Sequence, residues 1–390
     1  MSKSKLSVII ITIGTFLSFF IFGFMDNIKG PAVPVLLNDL GFTYSEGGTI
    51  LLGQYFGFLV ATLLTGVLAG LIGKKNIIVM AMLFLAVGVV GFTTHSSILL
   101  LTFFMFSLGL GLGSIEVGAN AIIVDIHHKH KGRYLNLLAF FHGFGSMAAP
   151  LYTSMLLIHY SSWRIPYSFS LPIIAVMFVF FIIARYPKRQ KSAEDTKIDF
   201  KGVAKRFFTL NVILFNILMC AYVMAEIGLA AWLVEFLQKD KLQSVSKSSI
   251  YLTLFFGTMT VGRLLGSFIV DKIGHLRILL IAAIGSIISV SIGIFGPSCL
   301  DFFLPLTGLF YSIVFPTATA AFSERNKENF LVLMSLLFAF VGLGGMLGPW
   351  LIGILSDMAG IKYGFSSIII YCLVMFASIL FIMKEKVEKN

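Results

Sequence analysis

Five ionisable residues stand inside long apolar runs: Asp26, Lys29, Glu116, Glu226 and Arg263. A charge at bilayer depth costs at least about 2.5–3.5 kcal/mol on insertion scales, so each is a functional candidate by default. Glu116 is the sharpest. It lies in GLGSIEVGANA, among small residues, with Gly113 and Asn120 at helical spacing. Small neighbours let other helices and a solute come close, and they leave the carboxyl poorly solvated. Desolvation penalises the charged form, which suits a group that takes up and releases a proton. The competing reading is a neutral Glu bonded to a neighbouring helix. Asp26 and Lys29 are three residues apart, so they share a helix face and can pair. The pair is either purely structural or opens to a proton or a solute. Gly30, Pro31 and Pro34 follow it, which predicts a kink in this helix. Glu226 lies in YVMAEIGLAAWLVEFL with Tyr222 and Trp232, and Arg263 precedes Asp271 closely enough to snorkel towards an interface.

Uncharged polar groups in the same runs are Gln54, Asn120, Asn136, His142 and Tyr311. Amides and hydroxyls beside aromatic rings suit a polyhydroxy solute, whose OH groups need partners and whose ring faces stack. The expected solute-lining set is Asp26, Lys29, Gln54, Asn120, Asn136, His142, Glu226 and Trp232, with Glu116 and Asp26 as proton-coupling groups. No cofactor or metal is expected. Cys220, Cys299 and Cys372 have no ligand spacing, and Lys129, Lys131 and Arg133 would repel a cation from His127, His128 and His130. That HHKHKGR stretch reads as a basic loop at a membrane surface. No activated nucleophile or carboxylate pair is spaced for catalysis, which argues against an enzyme.

These groups need a scaffold that lies in lipid. The chain is 58% hydrophobic and 12% charged, where soluble domains average about 25% charged residues. Twelve apolar runs are long enough to cross about 30 Å of hydrocarbon: 7–34, 46–71, 76–95, 97–124, 133–157, 166–185, 209–237, 248–270, 275–295, 299–322, 329–355 and 362–383. The first is too long for a signal-peptide core and is kept as a span. With both termini placed in the cytoplasm, only Arg164, Lys239, Lys241, Lys247 and Lys362 of the 29 Lys and Arg fall on the far side, and Lys29 and Arg263 lie within spans. That asymmetry sets the orientation and explains the net charge of +11 without nucleic acid, which would need one contiguous basic face.

The runs were built twice. Gly143, Gly145, Met147 and Pro150 recur 199 residues later as Gly342, Gly344, Met346 and Pro349. The expected fold is all-α, with twelve transmembrane helices in two pseudo-symmetric six-helix bundles at 1–185 and 209–390. A cytoplasmic linker, 186–208, joins them, and its IDFKGVAKRFF part could lie in the interface as an amphipathic helix. The short loops repeat as well: GVLAGLIGKK at 66–75 and GSFIVDKIGHLR at 266–277 match Gly73 to Gly274. Lys74, Lys75, Asp125, Arg133, Asp271, Arg277 and Glu324 form the expected gate-side network, individually weak and acting through number.

The loop resembles the signature of the major facilitator superfamily, in which an acid precedes the Gly by three residues; Asp271 keeps that acid and Gly70 has lost it. Nearly the whole chain further resembles the fucose:proton symporter family. GLGLGSIEVGANAIIV is similar to its G-x-G-x-x-E-x-x-x-N segment and places the membrane acid on Glu116. GRYLNLLAFFHGFG matches its LN…FG pattern at Asn136 and Gly145. YVMAEIGLAAWL matches Y-x-x-x-E at Glu226, and SIVFPTATA matches I-x-F-P-T at Pro316. The chain departs at Gly30, where the family's fucose carrier has an acid, at Ala139, where it has Gln, and at His142, where it has Asn.

The resemblance implies a proton-coupled symporter of a small polar solute, a neutral hexose above all, working by alternating access. It implies a monomer in a bacterial inner membrane. The alternative is a proton-driven exporter of drugs or lipids. Such exporters carry a G-x-x-x-G-P-x-x-G-G run in the fifth helix, and here Leu151 follows Ala149 and Pro150 without the terminal glycines.

Overall fold

In the computed structural model, which describes residues 3–127, 131–184, 209–326 and 330–385, every regular element among the described residues is helical. The linker 186–208 and residues 128–130 of the basic loop lie outside the described residues. The helices are α1 (Lys3–Asn27, resuming as Lys29–Leu40), α2 (Tyr44–Ile72), α3 (Lys74–Thr94), α4 (Ile98–Ile126), α5 (Lys131–Tyr160) and α6 (Arg164–Ser168 and Leu171–Ile183). After the linker come α7 (Leu210–Lys239), α8 (Val245–Ile273), α9 (His275–Phe295), α10 (Phe303–Tyr311 and Val314–Arg325), α11 (Phe330–Ala359) and α12 (Ile361–Lys384).

Ten of these, counted over the described residues, are long and apolar enough to span a bilayer. The other two, α5 and α8, reach 30 and 29 residues. With them the twelve expected spans are complete.

Proline places the breaks. Pro31 has no N–H for the Asn27 carbonyl four residues earlier and its ring crowds that oxygen, and α1 breaks between Asn27 and Lys29. Pro316 acts likewise on Ser312, where α10 breaks between Tyr311 and Val314. Glycine makes the tight turns. Gly73 and Gly274 join α2 to α3 and α8 to α9 at φ +89° and +88°, a conformation that costs side-chain-bearing residues dearly. The start of α2 is fixed by a capping box, in which Thr43 Oγ1 accepts from Glu46 N–H at 3.3 Å and Glu46 Oε2 accepts from Thr43 N–H at 2.8 Å.

The chain divides into two compact units, Met1–Ala193 and Glu194–Asn390. The repeated glycines have the same task in each. A Cβ on Gly145 would overlap the Phe20 carbonyl oxygen, so the glycine lets α5 lie directly on α1. A Cβ on Gly344 would overlap the Cys220 carbonyl, which is the same arrangement of α11 on α7. The end of the first helix is also tied down alike in both units. Asp39 accepts from Trp163 Nε1 at 2.9 Å and Arg164 Nη1 at 3.0 Å, and Arg164 Nη2 donates to Ser96 at 2.8 Å. In the second unit Lys362 pairs with Asp240 at 3.7 Å, while Lys241 donates to the Gly296 carbonyl at 2.6 Å.

Each unit has an apolar interior, around Ile78, Leu85 and Leu112 in the first and Phe215, Leu218 and Leu233 in the second. Large apolar side chains such as Leu63, Met155, Val176 and Leu264 remain on the outside. That surface is stable only where lipid is the solvent. Gly145→Leu is therefore expected to cost about 3 kcal/mol or more, because the backbone of α1 cannot give way as a side chain can. Thermal unfolding in detergent checks this, and a Leu variant as stable as the parent would refute the packing argument.

Candidate functional site

The break in α1 exposes a short stretch of helix end beside the middle of α2, and a polar cluster of the first unit forms there. The carboxylate of Asp26 accepts from three donors through one oxygen. Lys29 Nζ is at 2.5 Å, Gln54 Nε2 at 2.7 Å and the Tyr55 hydroxyl at 3.4 Å. Lys29 Nζ also donates to the Tyr55 hydroxyl at 2.7 Å and sits 4.5 Å from the centroid of that ring. Lys29 and Gln54 are each 2% exposed and Asp26 9%. Beside the cluster, Asn27 Nδ2 donates to the Gly23 carbonyl at 2.8 Å and to Ser146 Oγ at 3.1 Å, joining α1 to α5.

Glu116 lies on α4, whose glycines settle its position. A Cβ on Gly109 would overlap the Gln54 carbonyl oxygen, and one on Gly113 would crowd Phe58 and Ala61, so α4 lies flush against α2. Asn120 Nδ2 donates to the Glu116 carbonyl oxygen at 2.7 Å and to its Oε1 at 3.2 Å. Both side chains are half-buried. His142 presents its ring edge-on to Phe22, with centroids 4.5 Å apart.

In the second unit the half-buried Glu226 hydrogen-bonds the Tyr222 hydroxyl, and Arg263 lies within electrostatic reach of that hydroxyl. The ring of Tyr222 meets that of Tyr311 edge-on at 5.8 Å, and Tyr311 Oη is 3.2 Å from Cys372 Sγ. Arg263 Nη2 also contacts Met259 Sδ at 3.5 Å. Asp26 and Glu226 are 200 residues apart. Both acids stand on the first helix of their unit, each with a tyrosine hydroxyl and a cation nearby.

Two members of the expected lining set stand apart from these clusters. Trp232 offers no free ring face: it is fully buried, and its Nε1 donates to the Pro349 carbonyl at 2.9 Å. It sits where Gly228 and Gly348 bring α7 and α11 together, so it packs that seam. Asn136 is exposed and has no hydrogen bond among the described residues, so it joins neither cluster.

The gate-side residues separate into distinct contacts. Lys74 pairs with Asp125 at 2.5 Å, tying the start of α3 to the end of α4. His275 and Glu324, 3.1 Å apart, do the same for α9 and α10. Lys75 instead caps α6 by donating to the Ile182 and Ala184 carbonyls at 2.8 and 2.9 Å. Arg133 and Arg277 are exposed and paired with no acid among the described residues, and the Asp271 side chain lies outside them. His127 reaches Thr12 Oγ1 at 2.8 Å and stacks on Tyr134.

Sequence reasoning missed Tyr55, Ser146 and His275. Tyr55 adjoins Gln54 in the chain, the one local hint. For His275 the signal was the repeat itself, since it stands 201 residues after Lys74.

The profile of the Major Facilitator Superfamily matches residues 15–302 and 217–390 of the chain. A glucose/galactose transporter of Brucella abortus is 24% identical over 92% of this chain and 91% of its own. Among solved structures, a variant of the E. coli fucose:proton symporter FucP superposes with a TM-score of 0.65 at 19% identity, covering 96% of this chain and 99% of that one. The nucleoside transporter NupG superposes at 0.78 and 15% identity, over 97% and 100%. At these identities the superpositions establish the fold and leave the solute to the site.

Proposed function

The chain belongs to the Major Facilitator Superfamily, a multi-pass membrane transporter and not an enzyme, and we propose that it is a proton-coupled symporter of a neutral hexose. The observation that carries this reading is the Asp26–Lys29–Gln54–Tyr55 cluster. It holds one carboxylate and one ammonium, completed by an amide and a phenol. Such a cluster balances its own charge, and it offers directional bonds to a solute that brings hydroxyl groups and no charge. The Brucella relative, named for glucose and galactose, agrees with that chemistry.

In this reading Glu116 carries the proton. Its half-buried carboxyl stands on α4 one turn beyond the glycines that seat this helix on α2, and protonation there removes a charge the membrane disfavours. Glu226 with Tyr222 and Arg263 forms the polar cluster of the second unit. Transport proceeds by alternating access, the working principle of carriers built from parallel repeats. The Lys74–Asp125 and His275–Glu324 pairs fasten helix ends on the cytoplasmic side, with both termini on that side by the distribution of Lys and Arg. The membrane is a bacterial inner membrane.

A second cation beside the solute is what a phosphorylated sugar would need, because anion recognition rests on charge-assisted bonds. Lys29 is already committed to Asp26. Glucose and galactose are thus expected to compete for uptake into vesicles, and hexose phosphates to leave it unchanged. Inhibition by the phosphates alone would overturn the hexose assignment.

A further inference from the structure

We infer that the side-chain carbonyl of Gln54 accepts a hydrogen bond from one hydroxyl group of the carried solute and thereby sets which sugars are accepted. The inference rests on the hexose-symport reading and names a residue that selects within it.

The orientation of this amide is settled by chemistry. A carboxylate only accepts hydrogen bonds, so the NH2 end of Gln54 must face Asp26, at 2.7 Å, and Oε1 must point away. That oxygen is buried, with no hydrogen-bond partner among the described residues. Leaving a buried acceptor unsatisfied costs about 1–3 kcal/mol, and native proteins keep such atoms where something else uses them. The residue cannot easily turn elsewhere. Its backbone is pinned where Gly109 admits α4 against the Gln54 carbonyl, and its NH2 group is held by a carboxylate that is itself ion-paired.

The depth also fits. Gln54 is ten residues into the 29-residue α2, about 15 Å along its axis, and so lies inside the stretch that crosses about 30 Å of hydrocarbon. Other buried polar atoms lack partners, but none of those among the described residues is an amide acceptor aimed by a fixed donor end. Thr102, Thr153, Ser249 and Thr319 carry hydroxyls that rotate to suit, and neither end of the Asn216 amide is fixed by a bond. Gln238 lacks a partner at its donor nitrogen, and Glu235 and Asp301 are carboxylates, Asp301 being held by Lys241 and Gln243. Gln54 is the buried amide whose acceptor is aimed by a second, charge-assisted contact.

An acceptor discriminates by donors. A sugar that lacks the matching hydroxyl leaves Oε1 unpaired, and so does one carrying fluorine there, since fluorine cannot donate. Sites built to bond a hydroxyl reject analogues without it far more strongly than apolar pockets reject a missing methylene.

The test measures uptake kinetics for the parent hexose and its complete monodeoxy and deoxyfluoro series, in the wild-type protein and in Gln54→Met. At one ring position the wild type should prefer the parent at least about tenfold in kcat/KM over both analogues. Gln54→Met should bring those three substrates within about twofold of each other while keeping discrimination at the other positions. A uniform loss across the whole series would show that Gln54 only supports the fold, and would overturn the inference. If Gln54→Met fails to fold, Gln54→Asn keeps the amide but withdraws its carbonyl, and unchanged selectivity in that variant overturns the inference equally. Wild-type uptake of the parent hexose is read separately. If the wild type carries a different hydroxylated solute, the hexose reading falls and Gln54 is judged on that solute's own deoxy series.

Discussion

Asp26→Asn is expected to be the most damaging single substitution in the chain, lowering stability by about 3–5 kcal/mol. Lys29 is 2% exposed, and Asp26 is the acid it pairs with. Removing the negative charge leaves an ammonium in a place that cannot solvate it, and the Tyr55 hydroxyl alone does not offset that. Asp26→Asn combined with Lys29→Met should recover most of the folded yield, because removing both partners costs less than orphaning one. Fluorescence-detected size exclusion and thermal unfolding report both quantities. An Asp26→Asn protein as stable as the parent would show that the pair is dispensable to the fold. A double variant that folds yet does not transport assigns the pair a part in the cycle beyond packing.

Glu116→Gln should abolish accumulation against a gradient while leaving exchange of solute across the membrane largely intact. The amide keeps the shape of the neutral acid and can still receive the Asn120 N–H that now reaches Oε1 at 3.2 Å. It cannot gain or lose a proton, so solute movement no longer draws on the proton gradient. Uphill uptake is expected to fall to equilibration, and counterflow of labelled solute to remain within about threefold of wild type, the usual context-dependent spread for one hydrogen bond. Uphill uptake at the wild-type level would remove Glu116 from the coupling mechanism.

Much of the scaffold was legible because lipid imposes few solutions. Apolar runs of span length, the repeated Gly145 and Gly344, and the turn glycines Gly73 and Gly274 each translate directly into helices, close approaches and tight turns. The Asp26–Lys29 pair was legible for the same reason, since i,i+3 neighbours on a helix meet wherever the helix lies. Contacts between helices were not. Gln54 and Tyr55 reach Asp26 from 28 and 29 residues away, and no local pattern encodes the rotation of α2 about its axis. The packing of Trp232 was not legible, because an aromatic ring serves a sugar face and a helix seam equally well and its place at the α7–α11 seam is set by Gly228 and Gly348 on the meeting helices. The carbonyls that Lys75 caps were not legible either, because a cap leaves no mark in the sequence of the capped helix.

The central claim, that hexose and proton move together in one direction, is tested most directly by the external pH of a weakly buffered suspension of de-energised vesicles. Adding glucose or galactose should raise the external pH as protons enter with the sugar, and Glu116→Gln should remove that signal. Sugar entry with no change in pH would contradict proton coupling. A fall in external pH on solute entry would show exchange of solute against protons, the arrangement of an exporter.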